Sequence, residues 1–399
     1  MPRRYVPSMA RIPALSLFIT AFTAAGAQPA DAVYRNARIW TGDSTRPSAE
    51  AMAVRGGRLV AVGTEAAVRA LDGVAKGAIV AMDPQTGAIR AIASRPTFDP
   101  NVFSDGPTSS QWASLNSPTA PLLNRAFQGF PPASTFKVVT TIAALESGLY
   151  TANSKVMSMR SFCYAGLCYG DHGAMGLIGF PIALAVSSNT FFYQVGLKLG
   201  PAHLFQTARR LGFGAVTGLE LTDEETSGLL GDPGWKQKVL GEAWTPVDTI
   251  TSAIGQGALQ VTPIQMARLY AAVSNGGWLV TPHLVERPTP RRWLGLQPAT
   301  LQVLRKGLRM VVTEGTGKVL NDPTLPPVAG KTGTGEDPPR LDHAWFGGYA
   351  PADKPTLVIV AFGENSGGYG GTVAAPMVKA LMTTWFRGMN APTSVKGKP

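Results

Sequence analysis

The chain passes through stretches of period-two and helical hydrophobicity, divided by turns rich in glycine and proline. Val33 to Trp40 alternates apolar and polar positions as a half-buried strand does, and Ala51 to Arg55 and Arg58 to Val62 flank Gly56-Gly57 as a hairpin. Thr64 to Leu71 then has helical spacing. The pattern changes near Gly73 to Lys76, where a second hairpin is predicted: Ala78 to Met82, the turn Asp83-Pro84-Gln85-Thr86-Gly87, and Ala88 to Ser94. Helices are expected over Phe136 to Leu145, from Ile182 to Val186 onward, over Pro263 to Val273 and over Ala374 to Phe386, with a strand at Leu357 to Phe362. From about residue 76 to Phe386 this mixture reads as one large α/β domain, followed after Gly388 by a tail without pattern.

A hydrophobic share of 45% in 399 residues supports a sizeable core and room for two domains. The 45 glycines and 32 prolines are spread through loops, which indicates a loop-rich globular protein and not a disordered one. No internal repeat, heptad run or long single-sign charge run is present. The formal charge of +11 suits anionic polymers or membrane surfaces. No nucleic-acid motif or interleaved basic-aromatic patch accompanies it, so nucleic acid is not an expected partner. Part of the charge lies at the start, where Arg3, Arg4 and Arg11 precede the apolar run Ile12 to Ala25, and Ala25-Gly26-Ala27 fits small-x-small cleavage. A helix over that run reaches only ~21 Å, against a hydrocarbon core of ~30 Å. Residues 1–27 therefore read as an export signal, with an uncleaved anchor as the alternative. The expected location is the periplasm or the outer face of the inner membrane.

The two cysteines, Cys163 and Cys168, stand in a C-x4-C loop followed by Asp171 and His172. In an oxidising compartment a local disulfide is the leading expectation. A zinc site made of Cys163, Cys168, Asp171 and His172 is the alternative, because thiolate and imidazole suit zinc, although the spacing is crowded for one tetrahedral site. No other cofactor is expected.

Three short motifs carry the chemistry: Ser134-Thr135-Phe136-Lys137, Ser187-Ser188-Asn189 and Lys331-Thr332-Gly333-Thr334. Each alone is weak; their order is specific to serine acyl transfer. Ser134 opens an apolar helical run closed by Gly148, and a serine there is ordinarily only an N-cap. Lys137 at i+3 lies on the same face, one turn on, within reach of the hydroxyl proton. To act as a base it must be neutral, so burial and a neighbouring cation, Lys331, are expected to lower its pKa. The helix start favours negative charge at Ser134 and offers its N–H to an oxyanion. Ser187 reads as the relay that carries the proton to the leaving amine, and Asn189 as the amide that orients Lys137 and substrate. Lys331 to Thr334 fits an edge strand, in which Gly333 allows close approach and Thr334 N–H completes the oxyanion hole. Lys331 with Thr332 or Thr334 is expected to bind the substrate's terminal carboxylate, the peptide lying as an added strand.

At these motifs the chain resembles penicillin-binding proteins over roughly residues 76 to 390, most of all those of class B and elongation type. "ASRPTFDPNVF", "PLLNRAFQGFPPASTFK", "SSNTFFYQVGLKLG", "DTITSAIGQGALQVTPIQMARLYAAVSNGG" and "HAWFGGYAP" carry the resemblance. It implies the α/β (α+β) fold shared with serine β-lactamases: an antiparallel five-stranded sheet, flanking helices and an all-helical lobe. It also implies D,D-transpeptidation of peptidoglycan stem peptides, covalent capture of β-lactams and the cell-elongation machinery as a partner. Some members of the family carry zinc in the segment that here holds Cys163 to His172. Ala133 and Val247 stand where the family usually has glycine. The family's pedestal domain and long membrane anchor find no counterpart in the text, and no glycosyltransferase domain is recognised. Instead, "AVYRNARIWTGDSTRPSAEAMAVRGGRLVAVG" resembles the opening of amidohydrolases. Their metal-binding H-x-H strand does not follow, and none of the four histidines, His172, His203, His283 and His343, makes that pattern. The expected organisation is a signal (1–27), an amidohydrolase-like β-rich segment (28–75), a transpeptidase domain (76–390) and a tail (391–399). The rivals are a class D-like serine β-lactamase, for which Glu220 and Glu224 read as surface charges and not as a deacylating base, and a catalytically idle penicillin-binding domain.

Overall fold

The computed structural model describes residues 33–43, 46–55, 58–63, 71, 74–104, 106–221, 223–285 and 288–390. The expected export signal, the helix over residues 64–70 and the tail 391–399 lie outside them. The first strands, β1 (Val33–Asp43), β2 (Arg46–Arg55) and β3 (Arg58–Gly63), form an antiparallel three-stranded sheet, in which Arg55 pairs with Arg58 as the predicted hairpin requires.

The main sheet is built from β4 (Gly77–Met82), β5 (Ile89–Arg95) and three late strands. These are β6 (Ala329–Gly335), β7 (His343–Ala350) and β8 (Leu357–Gly363). Their order is β6-β7-β8-β4-β5, and every pairing is antiparallel. The turn between β4 and β5 closes because Asp83 Oδ1 accepts from the N–H groups of Gln85 and Thr86. Strand β6 is an edge, as expected for the lysine-bearing strand.

The strands read as nearly continuous apolar runs because both faces are covered. Along β4, Ala78, Val80 and Met82 enter one core, while Ile79 and Ala81 enter the other. Along β8, Val358, Val360 and Phe362 alternate in the same way with Leu357, Ile359 and Ala361. The helix Ala374–Asn390 covers the second face with Val378, Leu381 and Met382. The first face rests on Pro263–Ser274, a helix buried at every position, whose Tyr270 ring fills the space a side chain at Gly347 would need. This helix begins with a capping box between Thr262 and Gln265.

Beside the sheet stands the helical lobe: α1 (Lys137–Glu146), α2 (Phe180–Val186), α3 (Asn189–Arg210) and the helices Pro246–Ala253 and Pro298–Thr313. Two expectations shift here. The run from Ile182 does not continue as one helix but stops at Ser187, which is left-handed (φ 59°, ψ 34°), and a new helix starts at Asn189. Ser134 does not open the α-helix. It lies in a 3-10 turn, Ala133–Phe136, and the α-helix starts at Lys137. The second core also reaches back beyond residue 76, since Leu71 and Val74 are buried in it together with the C-terminal helix.

Candidate active site

The Ser134 turn is fixed from three sides. The Ala133 N–H donates to the Gly255 carbonyl at 2.9 Å, and the Trp345 indole N–H donates to the Pro131 carbonyl at 2.9 Å. Gly333 of β6 closes the third side, where an added Cβ would lie 3.1 Å from Thr135 Cγ2 and 3.2 Å from the Pro132 oxygen. The first and third motifs therefore meet on the same face. Thr135 N–H bonds to the Pro132 carbonyl, while the Ser134 N–H has no acceptor among the described residues. Ala133 itself is held at φ 49°, a left-handed conformation that glycine adopts freely and alanine only at a cost of about 1–2 kcal/mol.

A 3-10 turn eclipses side chains three apart, so Ser134 and Lys137 share one face. Lys137 is fully buried, and its Nζ lies 2.6 Å from the Ser187 carbonyl, 2.6 Å from Asn189 Oδ1 and 3.2 Å from Ser187 Oγ. The break between α2 and α3 makes this grouping. The left-handed Ser187 turns both its carbonyl and its hydroxyl to the amine, and Asn189 follows as the first residue of α3. Burial lowers the Lys137 pKa to about 7, against the opposing pull of the Asp171 carboxylate. Lys331 is also fully buried, donates to the Thr332 carbonyl at 3.0 Å and is held well below the ordinary lysine range by burial and by Lys137. Burial is thus the leading cause of both depressions, and the expected repulsion between the lysines adds to it.

Thr332 and Thr334 alternate to the other side of β6 from Lys331 and Gly333. Thr332 Oγ1 is bonded to Thr316 Oγ1, and Thr334 Oγ1 accepts from the Gly370 N–H at 3.3 Å. Only Thr334 of the four is half-exposed. Its hydroxyl, having accepted one bond, keeps its proton to donate.

Cys163 and Cys168 face each other across a small hairpin, Ser161–Tyr164 and Leu167–Gly170, and are joined by a disulfide. With the two sulfurs bonded to each other, no thiolate remains for zinc. Asp171 is not free either. Its Oδ2 accepts from Ser188 Oγ at 2.6 Å and from Thr190 N–H at 2.9 Å, and His172 is exposed. No group of three or more metal-ligating side chains occurs among the described residues. The four residues therefore do not fit a zinc ion in this form of the chain.

Sequence reasoning missed what Asp171 does. It ties the 171 loop to the start of α3, where Ser188 caps the helix by accepting from Phe191 N–H and meets Ser158 Oγ at 2.8 Å. Burial pushes the Asp171 pKa up, but donors from Ser188, Thr190 and Asn189 prevail and hold it below the usual carboxylate range. The Ser-Asn-Thr run after an apolar helix was the only available sign of such a cap. Glu220 and Glu224 are half-buried and not plain surface charges: Glu220 accepts from Leu284 N–H, and Glu224 from Asn124.

With this geometry in place, comparison with known proteins gives one family. The penicillin binding protein transpeptidase domain matches residues 77–383. The peptidoglycan D,D-transpeptidase MrdA of Acinetobacter baumannii is 32% identical over 349 residues, which is 78% of this chain and 51% of that protein. The chain thus spans about half the length of the curated relatives it matches. Pseudomonas aeruginosa PBP2, solved in complex with WCK 5153, superposes with a TM-score of 0.74 at 35% identity, covering 80% of this chain and 73% of that one. Helicobacter pylori PBP2, solved in complex with MreC, gives 0.75 at 27% identity, covering 82% and 62%. The chain belongs to the penicillin-binding protein transpeptidase family and has its fold.

Proposed function

We propose that the chain is a peptidoglycan D,D-transpeptidase of the elongation type, which works through an acyl-enzyme on Ser134 and is acylated by penicillin at the same residue. The observation that carries this reading is the buried Lys137 amine, held by Ser187 and Asn189 with its pKa near 7. In neutral form that amine spends two N–H bonds on the Ser187 carbonyl and Asn189 Oδ1. Its lone pair is then left to take the Ser134 proton as Oγ attacks the D-Ala-D-Ala carbonyl.

The oxyanion is received by the orphan Ser134 N–H and the Thr334 N–H; loss of one such donor costs about 2.7–4 kcal/mol of transition-state stabilisation. Ser187 Oγ passes the proton to the departing D-alanine amine, and the amine of a second stem peptide later displaces Ser134. The Thr334 hydroxyl donates to the substrate's terminal carboxylate. That carboxylate supplies the counter-charge that lets Lys331 hold a proton. The chemistry draws on no cofactor. Its substrates place it outside the cytoplasm, and the MreC complex of the Helicobacter relative supports a partner in the elongation machinery.

Fluorescent penicillin tests the reading. One label per chain that persists for hours, and none on Ser134→Ala, is the expected result. Rapid release of hydrolysed penicillin would make the protein a β-lactamase, and a folded sample that takes no label would make it an idle binding domain.

A further inference from the structure

At the other end of α3 from Asn189, beyond the kink at Gly200 (φ 72°, ψ 166°), lies a cavity of about 350 Å³ that the transpeptidase chemistry does not use. Four guanidinium groups line it: Arg209, Arg268, Arg291 and Arg292. Its size falls in the range of small-ligand sites.

Arg268 is 9% exposed, and its single hydrogen bond among the described residues runs from Nε to the Val280 carbonyl at 3.0 Å. Its terminal nitrogens face the cavity without a partner. Gly212, at φ 91°, lacks the side chain that would crowd them, since a Cβ there would lie 3.1 Å from Arg268 Nη1. Arg291 stacks 4.4 Å over the Trp278 ring, and Arg292 donates to the Arg210 carbonyl. Among the described residues only Arg209 of the four has an ion pair, with Asp232. Burial lowers the Arg268 pKa, Glu225 opposes the shift and the repulsion of Arg292 adds to it.

Three arginines without an ion pair among the described residues, only Arg268 having a carboxylate, Glu225, acting on its charge, line one concavity, an arrangement a multiply charged anion relieves. Planar donor forks match phosphoryl oxygens two at a time. We propose that this cavity binds a phosphoryl anion of about pyrophosphate size.

The whole chain is titrated with inorganic pyrophosphate at low ionic strength and followed by calorimetry. One saturable site is expected, weakened at least tenfold in Arg268→Gln and in the double variant Arg291→Gln/Arg292→Gln, with the rate of penicillin acylation unchanged. Because Arg268 is buried, the double variant on the exposed pair decides the matter should Arg268→Gln fail to fold. No saturable binding by the parent, full affinity in the folded double variant, or equal binding of citrate would overturn the proposal. Capture of the chain by phosphatidylglycerol vesicles, relieved by pyrophosphate, would assign the ligand to a lipid head group. Pyrophosphate binding without vesicle capture would assign it to a soluble phosphate.

Discussion

Lys137 decides how the site responds to pH. Its pKa is lowered, so the active neutral amine is present above about pH 7 and lost below it. Acylation by penicillin should therefore fall about tenfold per pH unit below 7 and level off above, measured as single-turnover rates. Asp171 attracts the proton on Lys137, so Asp171→Asn should move that midpoint to lower pH. It should also slow acylation by about tenfold or more, because Ser188 and Thr190 exchange a carboxylate acceptor for a weaker, neutral amide oxygen. A slower variant with an unmoved midpoint would reduce Asp171 to packing. At Ala133 the strain is local: Ala133→Gly should raise stability by up to ~1 kcal/mol in urea unfolding, the relief of φ 49° being offset in part by the freer unfolded chain.

The 3-10 turn and the two-helix break show what sequence reading captured and what it did not. Short apolar runs bounded by turn residues placed β4 and β8 to within a residue, both sheet faces being buried, and the lysine motif placed the edge strand β6 to within two. Of the motif residues, Ser187 and Asn189 bond to the Lys137 amine. The stop at Ser187 was invisible, since no glycine or proline marks it and its left-handed backbone is imposed by Lys137 and the cap of α3. Asp171 was misread for a related reason: beside two cysteines it looked like a ligand, and its true partners lie 17 and 19 residues away. Gly255 carries the clearest consequence of this packing. A Cβ there would sit 2.2 Å from the Ala133 oxygen at a φ of 78°, so Gly255→Ala should destabilise by about 2 kcal/mol or more and slow acylation. A parent-like rate would separate the two loops functionally. The short disulfide loop should contribute about 2 kcal/mol, lost on Cys163→Ser/Cys168→Ser.

Two cores back to back, one on each face of a single sheet, make the catalytic unit depend on both ends of the chain. Strands β4 and β5 come from the start and β6 to β8 from the last quarter, so the sheet closes only when distant segments meet. Leu71 and Val74 belong to that structure, since Leu71 also accepts from Arg95 through its carbonyl. A chain beginning at residue 64 should keep its penicillin labelling, whereas one beginning at 77 should melt several degrees lower, with about 3 kcal/mol of apolar burial removed. Equal melting of the two would show that the core starts later.

The anchoring of the Ser134 turn by Gly255, Gly333 and Trp345 has a pharmacological corollary. A nucleophile clamped to a sheet on one side and a buried loop on the other has little freedom to adapt to a bulky inhibitor. Under the proposed transpeptidase role, drug escape that preserves activity should then arise by loosening the clamp, so that poorly fitting antibiotics lose their geometry while a small stem peptide still docks.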